Sequence, residues 1–326
     1  MISNTVFITG VGGMVGRHLS DFYSINHPDV KVVGSFFKPT TDINEIDNSV
    51  ELIECDVRYF HSVLNIIDHF KPDVIFHLAA QSYPPVSWHR PQETCDINIT
   101  GTINVFEAVK NVRSCFKDYD PTIVVACSSA EYGQSMIDCD GFVNEESPLL
   151  PLSPYGVSKV SQDLLGYQYF ICDNIKSIRA RIFNTTGPKK VGDVLSDFTR
   201  RAVLLNLGLE KDFSVGNLET ERPITDVRDL VNALFLLSVK GKPGEAYNIC
   251  GSEKYKINYL IEVIEECLNT ELNPILDKKL LRPTDEKVIF GDSSKLFAAT
   301  GWTQKIKIKD TIRDMLDYWF KVLNHL

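Results

Sequence analysis

The sequence predicts an α/β protein, a doubly wound parallel sheet with a second, smaller α/β lobe. Short β-branched apolar runs alternate with helical stretches over the first half of the chain. A glycine-rich turn joins the first run to the first helix, and beyond about Phe183 the pattern changes to loops, short strands and helices punctuated by Pro and Gly. With 326 residues, 44% of them hydrophobic, the chain can bury a sizeable core as one large or two smaller domains.

The first strand is expected at Val6-Phe7-Ile8, and residues 31–36, 50–53 and 73–76 read as the second to fourth, each a short apolar run bounded by polar or turn residues. Residues 98–113 then show helical periodicity, with Ile103, Phe106, Val109 and Lys110 at three- and four-residue intervals. A fifth strand is expected at 122–126, a helix from near Tyr155, and a sixth strand at 177–182. In the second half, 247–249 reads as a strand returning to the large sheet, and 258–267 and 310–322 as helices. The division is therefore a large domain of residues 1–183, with about 224–250 returning to it, and a lobe of about 184–223 and 251–326.

A net charge of -9 disfavours nucleic acid as a partner, because the phosphate backbone needs a concentrated basic surface. Met1-Ile2-Ser3-Asn4 lacks the basic flank and apolar core of a signal peptide, and no apolar run is long enough to span a bilayer, so a cytoplasmic, membrane-free protein is expected. The eight cysteines and seven histidines are dispersed without metal-ligand spacing, which points to reduced thiols and no metal site.

Gly10, Gly13 and Gly16 fall between the first strand and a helix that opens with Met14 and Val15. Such glycines permit a tight turn and close approach to a pyrophosphate, which the free N–H groups of the helix then stabilise. A plain strand-to-helix connector is the competing reading. Asp56-Val57 follows the third strand, where the carboxylate either meets an adenine edge or caps a helix. Leu78-Ala79-Ala80 follows the fourth, where small residues let backbone approach a cofactor, and His77 before them reads as a packed strand-end residue. The second strand ends Phe36-Phe37-Lys38, with neither an acid for a ribose diol nor an arginine for a 2′-phosphate. Lys38 serves such a phosphate or is a solvated loop lysine, so NAD and NADP both remain open.

Tyr155 and Lys159, four apart at the start of a helix, lie on one face. A phenol titrates near ~10, and a nearby ammonium is expected to lower that value and make the tyrosine a proton shuttle. Ser128 and Ser129 follow the fifth strand at the carboxyl edge of the sheet, where a hydroxyl can polarise a substrate oxygen.

Taken together, the glycine turn, Asp56-Val57, His77-Leu78-Ala79-Ala80, Ser128-Ser129-Ala130-Glu131-Tyr132-Gly133 and Tyr155-x-x-x-Lys159 resemble an extended short-chain dehydrogenase/reductase, a Rossmann-like family. Within it the chain most resembles the GDP-mannose 4,6-dehydratase and GDP-4-keto-6-deoxymannose reductase group, over nearly its whole length. The resemblance implies an NAD- or NADP-dependent enzyme of GDP-sugar metabolism, with a dinucleotide-binding large domain and a nucleotide-sugar-binding lobe, assembled as dimers or tetramers. Ser128, Tyr155 and Lys159 would be its catalytic triad, with Asn98 a supporting residue on the cofactor side. On the substrate side it implies Ser82, Ser129, Asn184, Val194, Asn217, Arg222, Arg282 and Asp285, the arginines suiting a pyrophosphate and Asp285 ribose hydroxyls.

Arg222-Pro223-Ile224 departs from both branches of the group, which commonly have Arg-Asp-aromatic there, and a further position departs from the dehydratases, where a glutamate two residues before the motif tyrosine supplies the second acid/base that expelling the C6 hydroxyl requires. That position is Ala130 here, and Glu131, on an extended segment, would point to the opposite side. The expectation is hydride transfer at C4 of a GDP-linked manno-type sugar, hexose or heptose. The complete dehydratase, an epimerase and a non-catalytic sensor on the same fold are the alternatives.

Overall fold

The structure, a computed structural model, describes residues 4–139, 142–280 and 288–324. A seven-stranded sheet is formed by β1 (Thr5–Thr9), β2 (Lys31–Phe36), β3 (Glu51–Glu54), β4 (Val74–His77), β5 (Thr122–Ser128), β6 (Ser177–Ile182) and β7 (Ala246–Ile249). Its order is β7-β6-β5-β4-β1-β2-β3 and every pairing is parallel. The long helices are α1 (Met14–Asn26), α2 (Phe60–Phe70), α3 (Gly101–Cys115), α4 (Pro154–Asp173), α5 (Val194–Asn206), α6 (Val227–Lys240), α7 (Ile257–Leu268) and α8 (Ile308–Leu323).

Strand alternation explains the layers. Val6 and Ile8 of β1 enter one core with Leu19 and Tyr23 of α1 and Leu230 and Leu234 of α6. Phe7, between them, enters the opposite core with Ile67 of α2 and Phe106 and Val109 of α3. There Phe106 stacks on Tyr169 of α4 with ring centroids 4.6 Å apart, a pair worth roughly 0.5–1.5 kcal/mol beyond its buried area. A third core lies in the second half of the chain, built from Leu195 and Phe198 of α5, Leu260 and Ile264 of α7, and Ile312 and Trp319 of α8. Tyr132, Val143, Phe183 and Cys250 form a smaller buried cluster.

The chain winds outward from β1 to β3, crosses back to β4 and continues outward on the other side. Thr9 is in register with Ser35 and with His77, so the turns after β1, β2 and β4 open at one level, where such sheets hold ligands.

Several boundaries differ from the sequence reading. The third and fourth strands lie one residue later than expected, and β5 runs on to Ser128, which is therefore its last residue rather than the start of a loop. The helix expected from 98 becomes regular only at Gly101, because Asp96–Thr100 forms a π turn that directs the Asn98 amide inward to Gln81 and Ser158. Among the described residues no helix is long and apolar enough to cross a membrane.

Candidate active site

Backbone packing explains two of the three turn glycines. Gly10 has φ +74°, and a Cβ there would lie 2.9 Å from the Ala79 backbone; a Cβ on Gly16 would lie 2.4 Å from the Gly10 carbonyl oxygen. Gly13 differs, since a Cβ would approach nothing closer than the Gly10 oxygen at 3.4 Å. It caps α1 without a side-chain hydrogen bond, and the first turn of α1 carries no acid, so its N–H groups can receive an anion.

Thr9 ties this turn to the next strand by accepting the Leu78 and Ala79 N–H groups at 3.1 Å. His77 is 1% exposed and bonds Thr9 and Thr102 hydroxyls through its two ring nitrogens, each at 3.0 Å. Burial, then the charge of Lys159, pulls its pKa down to about 3, so it stays neutral and structural, as its strand-end position suggests.

These turns form the floor of one continuous cleft of about 1760 Å³. Pockets for single small molecules run to roughly 1,000 Å³, so it has room for two ligands. Gly10, Gly13, Met14 and Val15 line it from the first turn, and Leu78, Ala79 and Ala80 from the fourth strand. Lys38, Asp56 and Val57 line the end beyond β2 and β3. Asp56 lines the cleft and does not cap the following helix, whose N-cap is Tyr59; it accepts the Arg58 N–H at 3.0 Å and binds the Arg58 guanidinium at 2.6 Å. Burial works against its charge, yet Arg58 holds its pKa below the usual range.

Asn98 is a correction. It is fully buried and does not line the cleft; its amide accepts the Gln81 N–H at 2.8 Å and donates to the Gln81 carbonyl at 3.1 Å and the Ser158 hydroxyl at 2.9 Å. Its action on any cofactor is therefore through the 78–81 backbone that it fixes.

At the carboxyl end of β5, Ser128, Ser129, Tyr155 and Lys159 line the cleft together. Ser153 caps α4 by accepting the Gly156 N–H at 3.0 Å, and Pro154 opens the helix, which fixes Tyr155 in its first turn. The Ser128 side chain lies near enough to the Tyr155 phenol to act on it. Lys159 donates to the Ala126 carbonyl at 2.8 Å, with its ammonium 5.9 Å from the Tyr155 ring centroid. The expected lowering of the phenol's pKa is not found here: burial pushes it up to about 12, and only the Ser128 side chain pulls downward. Burial lowers the pKa of Lys159 as well.

Glu131 departs from the extended geometry expected of it. Ser129–Glu131 is a 3-10 turn, and the carboxylate is fully buried, accepting the Ser128 N–H at 2.7 Å and lying 3.6 Å from Arg181. Burial and the neighbouring Asp163 push its pKa up. Ala130 lines the cleft in its place.

Ser82, Asn184, Val194, Asn217 and Arg222 line the same cleft, Arg222 from the strand Glu221–Pro223 that pairs antiparallel with Lys254–Lys256. Arg282 and Asp285 fall outside the described residues. Arg58, Tyr83, Lys190 and Arg200 also line the cleft and escaped the sequence reading. Tyr83 donates to the Val191 carbonyl at 3.1 Å, and a Cβ on Gly192, at φ +84°, would lie 2.1 Å from the Tyr83 ring. The glycines at 187 and 192, flanking two lysines, were the available signal for this folded-over segment.

A dinucleotide fits these residues: the free N-terminus of α1 and the bare Gly13 suit a pyrophosphate, and the small residues 79–80 open onto the Tyr155–Lys159 end. Comparison with known proteins agrees with that geometry. A family model described as GDP-mannose 4,6 dehydratase matches residues 7–315. The chain is 28% identical over 320 residues to the GDP-6-deoxy-D-mannose reductase of Pseudomonas aeruginosa, covering 98% of both. It is 24% identical over 344 residues to the human GDP-mannose 4,6 dehydratase, covering 96% of this chain and 90% of that one. Among solved structures, RMD from Pseudomonas aeruginosa complexed with NADPH superposes with a TM-score of 0.83 at 27% identity, covering 98% of this chain and 99% of that one. A Thermotoga maritima UDP-glucose 4-epimerase with UDP-glucose shares the fold, with a TM-score of 0.88 at 21% identity and the same coverage. The match runs from the first strand into α8, and the chain belongs to the GDP-mannose 4,6-dehydratase family of extended short-chain dehydrogenases/reductases.

Proposed function

We propose that the protein is an NAD(P)-dependent oxidoreductase that interconverts the C4 alcohol and the 4-keto form of a GDP-linked manno-type sugar, acting chiefly as a reductase. The observation that carries the direction is Ala130. It lines the cleft where a dehydratase needs a carboxylate, while Glu131 is turned away into Arg181. At the position from which a dehydratase's carboxylate would remove the C5 proton and help expel the C6 hydroxyl, this chain offers only a methyl group.

In this reading a nicotinamide dinucleotide held along the Gly10–Val15 turn supplies the hydride. The Ser128 hydroxyl hydrogen-bonds the C4 oxygen, and Tyr155 gives its phenolic proton to that oxygen as negative charge develops there. Burial, which keeps Tyr155 protonated, favours this direction. Asn184, Asn217 and Arg222, with Arg282 and Asp285, are assigned to the GDP moiety, the arginines as pyrophosphate partners.

The lobes divide accordingly: residues 1–183, with about 224–250, hold the dinucleotide, and about 184–223 and 251–326 hold the nucleotide sugar. The eight free thiols suit a reducing cytoplasm. A homodimer or homotetramer is supported by α4, whose Val157, Leu164 and Ile171 are 48%, 53% and 58% exposed and recur every seven residues along one stripe.

The test is to incubate the purified protein with GDP-mannose plus NAD or NADP, and separately with a GDP-4-keto-6-deoxy sugar plus NADH or NADPH, and weigh the products. Gain of two hydrogens by the keto sugar with no change in GDP-mannose is expected. Loss of water from GDP-mannose would make the protein a dehydratase, and loss of two hydrogens alone would make it a C4 dehydrogenase.

A further inference from the structure

Glu131 is completely buried, yet the turn it ends is only three residues long, and no part of the proposed chemistry uses its carboxylate. One oxygen accepts the backbone N–H of Ser128 at 2.7 Å. The other has no hydrogen-bond partner and lies 3.6 Å from Nε of Arg181. Arg181 is itself fixed: the same Nε donates to Asp163 at 2.9 Å, and Nη1 donates to the Tyr132 hydroxyl at 3.0 Å and the Glu145 carbonyl at 2.9 Å.

Ser128 is thus gripped at two points. Its N–H is held by Glu131, and its hydroxyl oxygen accepts the Ala130 N–H at 3.2 Å. A hydroxyl whose oxygen is held in this way keeps its single hydrogen for donation into the cleft, which Ser128 and Tyr155 line together. The turn also abuts the helix that carries Tyr155, since a Cβ on Gly156 would lie 2.7 Å from the Ala130 carbonyl oxygen. A shift of the turn therefore moves Ser128 relative to Tyr155.

We propose that Glu131, anchored against Arg181, is the positioning residue that holds the Ser128 hydroxyl in register with the Tyr155 phenol. The alternative is that it merely caps a turn, although a side-chain hydroxyl or amide would do that without placing a carboxyl group beside Asp163. This inference rests on the reductase reading above.

A double-mutant cycle in keto-sugar reduction separates the two roles. Glu131→Ala is expected to lower kcat on the order of 10- to 100-fold, the scale of an ångström-sized misplacement, while leaving KM and the NADPH Kd within about twofold. Glu131→Gln, which retains a carbonyl acceptor for the Ser128 N–H, is expected to restore most of kcat. In a Ser128→Ala background, Glu131→Ala is expected to cost little more, because its partner is already gone. An equal loss in both backgrounds, or a parallel fall in kcat and NADPH affinity, would overturn the proposal. Should Glu131→Ala fail to fold, Glu131→Asp carries the test: one methylene shorter, it should lose kcat at constant KM, and wild-type kcat would overturn the proposal. Wild-type turnover in Ser128→Ala alone would instead remove the reductase reading of Ser128, a failure distinct from that of Glu131.

Discussion

Tyr155 illustrates how a motif names a residue without giving its state. The spacing to Lys159 was readable, but the phenol's pKa is governed by burial, which a linear pattern does not display. With that pKa near 12, the protonated form needed for reduction is full across the neutral range and falls only as pH rises through the pKa. The phenolate needed for oxidation instead rises about tenfold per pH unit below it. The kcat/KM for keto-sugar reduction is therefore expected to show no alkaline limb from Tyr155 up to about pH 10, judged against the Tyr155→Phe variant. A limb between pH 6 and 8 would show the phenol to be acidified. His77 gives a stability prediction. Its native pKa of about 3 lies below the ordinary 6.5, so the unfolded chain binds the proton first; the neutral ring's contribution is complete above pH 6.5 and is lost as pH falls. Urea titrations should show His77→Gln with a shallower fall in stability between pH 6 and 4, by up to about 1.4 kcal/mol per pH unit, and parallel curves would refute the assignment. The partnership of Glu131 with Arg181 was illegible because it joins a turn to a strand far along the chain. The trace it left in the sequence is a pair of arginines, Arg179 and Arg181, inside an otherwise apolar strand.

At the level of elements, the strands and long helices were largely legible because sheet alternation and helical periodicity are local signals. What was not legible is where an element bends for a reason outside itself. The π turn at Asp96–Thr100 depends on Gln81 and Ser158, and the extension of β5 to Ser128 depends on its pairing with Ile182 of β6. The glycine turn carries a sharper test. Because a Cβ on Gly16 would overlap the Gly10 carbonyl and the Val11 backbone, neither of which is a flexible side-chain end, Gly16→Ala must displace α1 from the turn. The expected outcome is a lower Tm together with a loss of at least about tenfold in NADPH affinity, read by calorimetry and fluorescence titration. Unchanged affinity would show that the turn does not seat the pyrophosphate.

For the whole molecule, the fold class was legible from the alternation of strands and helices, but the merging of the cofactor-side and sugar-side residues into one cleft was not. That union depends on the 187–193 segment reaching back: His18 of α1 hydrogen-bonds the Pro188 carbonyl at 3.1 Å, and Lys189 pairs with Glu45. Assembly is testable at this scale. Leu164→Glu, which places a charge in the middle of the exposed stripe of α4, is expected to lower the mass measured by light scattering to that of a single chain. An unchanged oligomer would place the contact elsewhere.

The position of β7 sets a condition on biosynthesis. It is a short strand that completes the sheet against β6, yet it is translated only after the segment containing α5 and α6. Until Ala246–Ile249 emerges, the nascent domain presents the open edge of β6, with its outward-facing N–H and carbonyl groups unpaired, to any other extended chain. A polypeptide ending at residue 183 would keep that edge permanently and should self-associate rather than persist as a free dinucleotide-binding module. The sheet closes late, and until then nothing in the already translated part of the sheet covers the outer edge of β6.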